Sequence, residues 1–237
     1  MSSTTTSRNP AEDEARGASA PPRGAGLFLA LEGPEGAGKS IQMSRLATHL
    51  DARDVSYRLT REPGGTPIGE VIREHLLQGN PEVEIDGLTE LLLMSAARAA
   101  HVREVIRPAL ARGEVVLTDR YELSSRAYQG YGRGVDMSVV DAVTRHATGG
   151  LEPDLYLILD LPVEVGLARR QEAGFDPDRI EREGSFFMER VRQGYLALAE
   201  DSDRIVRIDA GRSPDEVTSS LLQTLTGCFP EWFGSTA

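Results

Sequence analysis

Eight residues, Gly33-Pro34-Glu35-Gly36-Ala37-Gly38-Lys39-Ser40, constrain this chain more than any other stretch. They fit the pattern G-x-x-x-x-G-K-[ST] without a mismatch. Before them stands a short apolar run, Leu27-Phe28-Leu29-Ala30-Leu31; after them Met43, Leu46, Ala47 and Leu50 recur at helical spacing. A strand, a glycine turn and a helix in that order make a loop whose backbone N–H groups turn inward around phosphate oxygens. Lys39 then reaches the β- and γ-phosphates as a compact charge, and the Ser40 hydroxyl is placed to ligand Mg²⁺. Lys39 is the sole lysine among 26 basic residues. Arginine does not readily replace it, because a planar fork suits bidentate pairing rather than a tight point contact.

The run at 27–31 reads as a central parallel strand buried on both faces. Further strands are predicted at 55–60, 114–118, 155–160 and 204–208. Helical patterns separate them: Ile68/Val71/Ile72, 88–110, Val139/Val140/Val143, 163–170 and 180–198. Such alternation predicts an α/β fold, a five-stranded parallel sheet with helices on both faces. A chain of 237 residues suits one domain of this kind. It is expected over 27–227, with a flexible N-terminal tail at 1–26 and a C-terminal tail at 228–237. The formal net charge of −11 argues against a surface for nucleic-acid polymers or anionic lipid. No apolar run approaches the ~18 residues of a membrane span, and 1–26 lacks the apolar stretch of a secretory signal. The single cysteine, Cys228, cannot pair within the chain, which favours a reducing compartment, the cytoplasm. It is read as a packing residue.

Ligands of parallel sheets bind beyond the carboxyl ends of the strands. The unusual polar clusters fall there: the glycine loop, then Arg61-Glu62-Pro63-Gly64-Gly65-Thr66 after the second strand, then Asp119-Arg120-Tyr121 after the third. Asp119 ends the apolar Val115-Val116-Leu117, a position from which a carboxylate can hold the water shell of Mg²⁺ or cap the following helix. Arg120 stands where water-activating motor ATPases usually place a glutamate. No Asn-Lys-x-Asp guanine motif can exist when the sole lysine is Lys39. Both features weigh against a motor ATPase and a GTPase switch. Phosphoryl transfer between two nucleotides needs a second set of cations, for which Arg61, Arg73, Arg98 and Arg120 are candidates. Arg98 sits among Ala96, Ala97, Ala99 and Ala100, where an exposed helix face would be more polar. The residues alone leave open a nucleoside monophosphate kinase, a kinase for another small phosphate acceptor, and a non-catalytic ATP-sensing module. The second arginine set favours a kinase, since a sensor needs only the donor loop.

The glycine loop, Arg61-Glu-Pro-Gly-Gly-Thr66, Ser95-Ala-Ala-Arg98 and Asp119-Arg-Tyr with Ser124-Ser125-Arg126-Ala127-Tyr128-Gln129-Gly130 occur in the order seen in bacterial thymidylate kinases, and the chain resembles that family over about 27–210. Asp178-Arg179-Ile180-Glu181, Phe186-Phe187 and Val191-Arg192-Gln193-Gly194-Tyr195 extend the resemblance. It implies a P-loop kinase fold with a short lid, ATP and Mg²⁺, dTMP as acceptor, dTDP as product and a homodimer. It further implies that Glu35 meets the deoxyribose 3′-hydroxyl and that Arg73 and Arg120 grip the acceptor phosphate. Arg98, Ser125 and Gln129 would address the thymine edge, Tyr128 would crowd C2′, and Pro63 would line the base pocket. Met94 stands where the family commonly stacks a phenylalanine on thymine. The lid would be 171–178, with Arg170 as the mobile catalytic arginine.

Overall fold

Strand β1 (Leu27–Glu32) is buried along its whole length because it occupies the middle of a five-stranded parallel sheet of order β2-β3-β1-β4-β5. The computed structural model describes residues 26–78, 83–174 and 178–234. β1 pairs with β3 (Val115–Asp119) on one side and β4 (Leu155–Asp160) on the other. β2 (Tyr57–Arg61) and β5 (Ile205–Asp209) form the edges. The sheet is the one expected, with β2, β3 and β5 shifted by one or two residues. From β1 the chain goes to the edge strand β2, returns to β3 beside β1 and then crosses to β4 and β5 on the other side, and this change of direction opens a crevice at the carboxyl ends of β1 and β3.

Alternation along β1 feeds two cores. Phe28 and Ala30 join Val116, Tyr156 and Ile158 on one face, while Leu29 and Leu31 join Leu117 and Leu157 on the other. The second face is covered by helix α1 (Lys39–Asp51), through Leu46 and Leu50, and by α9 (Pro214–Cys228), through Leu221 and Leu225. Helix α2 (Pro67–Gln78) leads to α3 (Gly87–His101). The pattern at 88–110 is one helical path in three parts: α3, a π-helical turn at Val102–Ile106 and α4 (Arg107–Ala111). Pro108 has no N–H for the carbonyl four residues back, and the wider turn before it relieves the ring's clash there. Next come α5 (Glu122–Ser125), a second π-helical segment at Arg126–Gly132, α6 (Met137–Thr148) and α7 (Val163–Glu172).

Three expectations need correction. The helix predicted at 180–198 is broken: Gly184, at φ 87°, separates a 3₁₀ turn at Glu181–Glu183 from α8 (Ser185–Glu200). The C-terminal tail is partly built into the fold, because α10 (Pro230–Phe233) buries Phe233 to 2% exposure against α1 and α9. Cys228 is exposed and is not a packing residue. Of the N-terminal tail, 1–25 lies outside the described residues, and Gly26 already donates its N–H to the Leu110 carbonyl at 3.1 Å. Among the described residues no helix is long and apolar enough to cross a membrane.

Candidate active site at the carboxyl ends of the strands

A cleft of about 990 Å³ opens where the loops after β1, β2 and β3 meet. Every site residue expected from the sequence lines it except Gly33 and Pro34. Those two lie behind the loop, where their carbonyls accept from Lys39 Nζ at 3.1 and 3.0 Å. Two glycines lock the loop against the scaffold. A Cβ on Gly36 (φ 75°) would stand 2.4 Å from the Gly166 carbonyl oxygen on α7, and a Cβ on Gly166 would stand 2.5 Å from that of Glu35. Gly38, left-handed at φ 89°, starts α1 without a side-chain cap, so the first N–H groups of the helix are available to an anion. Burial first, and then the Arg120 charge, push the Lys39 ammonium below its ordinary pKa, against the pull of Glu35, Asp119 and Glu32.

Arg120 crosses from β3 to the loop. Its backbone is left-handed at φ 72°, an uncommon conformation for a side chain of this size, and its N–H is fixed by the Leu31 carbonyl at 2.8 Å. The guanidinium donates to Glu35 Oε1 at 2.5 Å, to the Tyr128 hydroxyl at 2.9 Å, to Tyr195 at 3.1 Å and to Ser124 at 3.2 Å. Burial alone would raise the Glu35 carboxyl, but Lys39, Arg120 and Arg170 outweigh it and hold that group well below the usual carboxylate range. Arg170 stands 3.8 Å from the other Glu35 oxygen. Arg169, its neighbour, instead ties α7 to the Ala210 carbonyl at 3.1 Å. Arg73 donates to the Pro63 carbonyl at 3.0 Å, while Arg61 is half exposed and paired with Glu70 at 2.8 Å. Asp119 ends β3 with its Oδ1 buried and without a hydrogen-bond partner.

The other end of the cleft is lined by Met94, Arg98, Ser125, Tyr128 and Gln129. Arg98, only 3% exposed, donates to Glu62 at 2.7 Å, to Ser125 at 3.0 Å and to the Tyr121 carbonyl at 3.1 Å. Glu62 in turn meets His101 Nδ1 at 3.0 Å, whose Nε2 meets Thr60 Oγ1 at 2.6 Å. Burial opposes the Glu62 charge, but Arg98 and His101 keep its carboxyl below its ordinary pKa. Gln129 donates its amide to Glu90 at 2.7 Å.

The sequence reading missed this supporting layer. Glu32 is fully buried at the end of β1 and accepts from the Tyr121 N–H at 2.8 Å, Ser124 at 2.6 Å and Tyr195 at 2.9 Å. It therefore holds two of the hydroxyls that hold Arg120. The signal was available, since Glu32 ends an apolar strand just as Asp119 does. Glu90 and His101 sit inside helices and carry no such mark, and Tyr195 entered only as the end of a motif, with no role given to it. The far part of the cleft, Arg212, Pro214 and Val217 after β5, was also not anticipated. Of the lid expected at 171–178, Gln171 and Glu172 continue α7, and 175–177 lie outside the described residues.

An anion loop on a parallel-sheet switch point, faced across one cleft by separately held arginines, defines a P-loop nucleotide kinase. More narrowly, the chain belongs to the thymidylate kinase family, whose model, described as Thymidylate kinase, matches residues 31–221. A thymidylate kinase of Thermosynechococcus vestitus is 51% identical over 88% of this chain and 90% of its own length. One from Pseudomonas fluorescens is 55% identical over 83% and 93%, and one from Deinococcus radiodurans 50% over 83% and 94%.

Proposed function

We propose that the loop at 33–40 holds the triphosphate of ATP while Arg73 and Arg120 hold the phosphate of dTMP, and that transfer of the γ-phosphoryl group gives dTDP. The observation that carries the assignment of residues is the contact of Arg120 with Glu35: a buried arginine from β3 reaches the donor loop itself, so the donor and acceptor cations share one space. Glu35 is then the loop residue nearest the acceptor sugar. Arg98, Ser125 and Gln129 present polar atoms to a pyrimidine edge, Met94 and Pro63 pack on the ring, and the buried Tyr128 crowds C2′ against a ribonucleotide.

Little covalent chemistry is asked of the protein. An acceptor phosphate with a second pKa of ~6 is mostly dianionic at neutral pH, so no strong general base is needed. Catalysis rests on aligning the two anions and neutralising charge on the transferring group. Lys39 is parked on its own loop carbonyls and can exchange them for phosphate oxygens, and Arg170 stands at the mouth of the lid, beside Glu35. The unpartnered Asp119 Oδ1 and the Ser40 hydroxyl are hard oxygen donors beside the loop, a set that fits Mg²⁺. Mg²⁺ bound there would supply further charge neutralisation to the phosphates. We further propose the domain limits 27–227 extended to include α10, a lid at 171–178, a homodimer and a cytoplasmic location.

A coupled ADP-release assay over a panel of nucleoside monophosphates tests the reading. The expected result is turnover of dTMP well above dGMP, AMP and UMP. Comparable turnover of AMP or UMP would remove the acceptor assignment.

A further inference from the structure

Glu90 lies in the first turn of α3 with 0% exposure. Its Oε1 accepts from Gln129 Nε2 at 2.7 Å and, at the longer distance of 3.5 Å, from Arg133 Nε, while its Oε2 accepts from Arg133 at 3.0 Å and from Arg179. Both arginines are held from elsewhere as well. Arg133 pairs with Glu183 at 2.7 Å and lies over the Phe187 ring at 4.7 Å. Arg179, just past the lid, donates from Nε to the Leu76 carbonyl at 2.7 Å and from its backbone to that of Leu77 at 3.1 Å. The carboxylate is therefore clamped mainly through Oε2, and the shortest contact of its other oxygen is the one from Gln129.

We propose that Glu90 is a positioning residue that sets which face of the Gln129 amide meets the acceptor base. A carboxylate only accepts hydrogen bonds, so it fixes the amide with its NH₂ turned away from the cleft. What Gln129 can offer the cleft is its carbonyl oxygen. A pyrimidine that carries a proton on N3, thymine or uracil, can donate to that oxygen. Cytosine presents a bare N3 there, so two acceptors face each other in a water-poor pocket, which is costly. Glu90 thus turns a symmetric amide into a one-sided filter for keto pyrimidines. The same carboxylate ties the filter to Arg179, and so to the chain leaving the lid. A buried ion network is weak evidence of stabilisation by itself, which favours a specificity role for this one. The inference rests on the acceptor reading above.

Glu90→Gln replaces the fixed acceptor with an amide that can pair with either face of Gln129. Glu90→Asp keeps the charge that Arg133 and Arg179 need and withdraws the oxygen by one methylene, so it tests the same point if the first variant fails to fold. The full-length chain and both variants are compared in kcat and KM for dTMP, dUMP, dCMP and ATP, with thermal melts to show folding. The expected result is a fall of about tenfold or more in the dTMP over dCMP ratio of kcat/KM, the size of one relieved hydrogen-bond mismatch. The dTMP over dUMP ratio should hold, because both bases carry the N3 proton, and KM for ATP should change less than about twofold. A folded variant that keeps the parent dTMP over dCMP ratio overturns the role of Glu90 and leaves the acceptor reading standing. A parent enzyme that turns over dCMP as well as dTMP overturns both.

Discussion

Glu122 offers a test of the physics of this interior that does not depend on catalysis. Its carboxyl is buried at the start of α5 with Oε1 accepting from the Tyr156 hydroxyl at 2.5 Å and Oε2 without a partner. Burial pushes the group up from 4.5 to about 7; Tyr156, Arg98 and Arg126 pull it down and Glu32 adds to the rise. Holding the ionised form in the fold therefore costs about 3 kcal/mol, at 1.36 kcal/mol per pH unit. The sign follows from proton counting. Between pH 4.5 and about 7 the unfolded chain has released a proton that the folded chain keeps, so stability is full below the unfolded pKa and falls as pH rises through the folded one. Glu122→Gln cannot ionise and keeps a carbonyl for Tyr156. Its amide NH₂ replaces the unpartnered Oε2, a cost that does not vary with pH. The measurement is thus the change in the difference between variant and parent, from urea unfolding at about pH 5 and about pH 8.5 with matched m-values. Glu122→Gln should gain roughly 2–3 kcal/mol on the parent between these conditions. A difference that stays constant with pH would show that Glu122 ionises normally and that its surroundings are wetter than the structure indicates.

Two further predictions concern the cleft. Arg120→Ala removes a charge-assisted contact of the kind worth roughly 1.5–3 kcal/mol, so kcat/KM for dTMP should fall at least about tenfold while ATP affinity changes much less. Loss of ATP affinity with dTMP affinity intact would reverse the donor and acceptor assignments. Because Lys39 is the sole lysine, an amine acylating reagent can modify only it and the N-terminus, and saturating ATP with Mg²⁺ should protect Lys39 alone. Equal Lys39 labelling by mass spectrometry with and without nucleotide, or near-normal turnover by Lys39→Arg, would contradict the role of the loop.

The centre of the sheet was legible because β1, β3 and β4 are short apolar runs ended by a carboxylate, a signal carried within each segment, whereas the edge strands β2 and β5 mix in charged residues. The same locality made the cleft legible: Arg61, Asp119 and Arg120 stand at strand ends, and Glu35 and Lys39 on the loop that leaves β1, where topology alone brings them together. Legibility ended where position depends on a helix face. Nothing in Leu88-Thr89-Glu90-Leu91 announces that Glu90 points inward to two arginines, since a glutamate in the first turn of a helix ordinarily faces water and favours the dipole. Gly184 was passed over because the apolar pattern continues on both sides of it, and only the backbone at φ 87° shows the break. α10 was missed for a different reason. Four residues are too few for a periodic signal, and Phe233 is held partly by the adjoining α9 and partly by α1, which is far off in sequence.

That supporting layer explains how a chain of net charge −11 can build a site for two polyanions. Left alone, Arg98, Arg120, Arg133 and Arg179 would repel one another in a confined space of low polarity. Buried acids support each: Arg98 is paired with Glu62, Arg133 and Arg179 with Glu90, and Arg120 is held behind by hydroxyls that Glu32 organises, with Glu35 in front of it on the cleft side. The acidic residues thereby lower the cost of burying guanidinium groups while fixing which way each fork points. Glu35 differs from the other three. At 31% side-chain exposure it lies on the cleft side of Arg120, and its depressed pKa records how strongly Lys39, Arg120 and Arg170 favour an anion at that point. The carboxylate therefore marks a strongly positive point of the cleft, on the glycine loop and against Arg120, and a point of that sign suits the neutralisation of charge on a phosphoryl group in transfer.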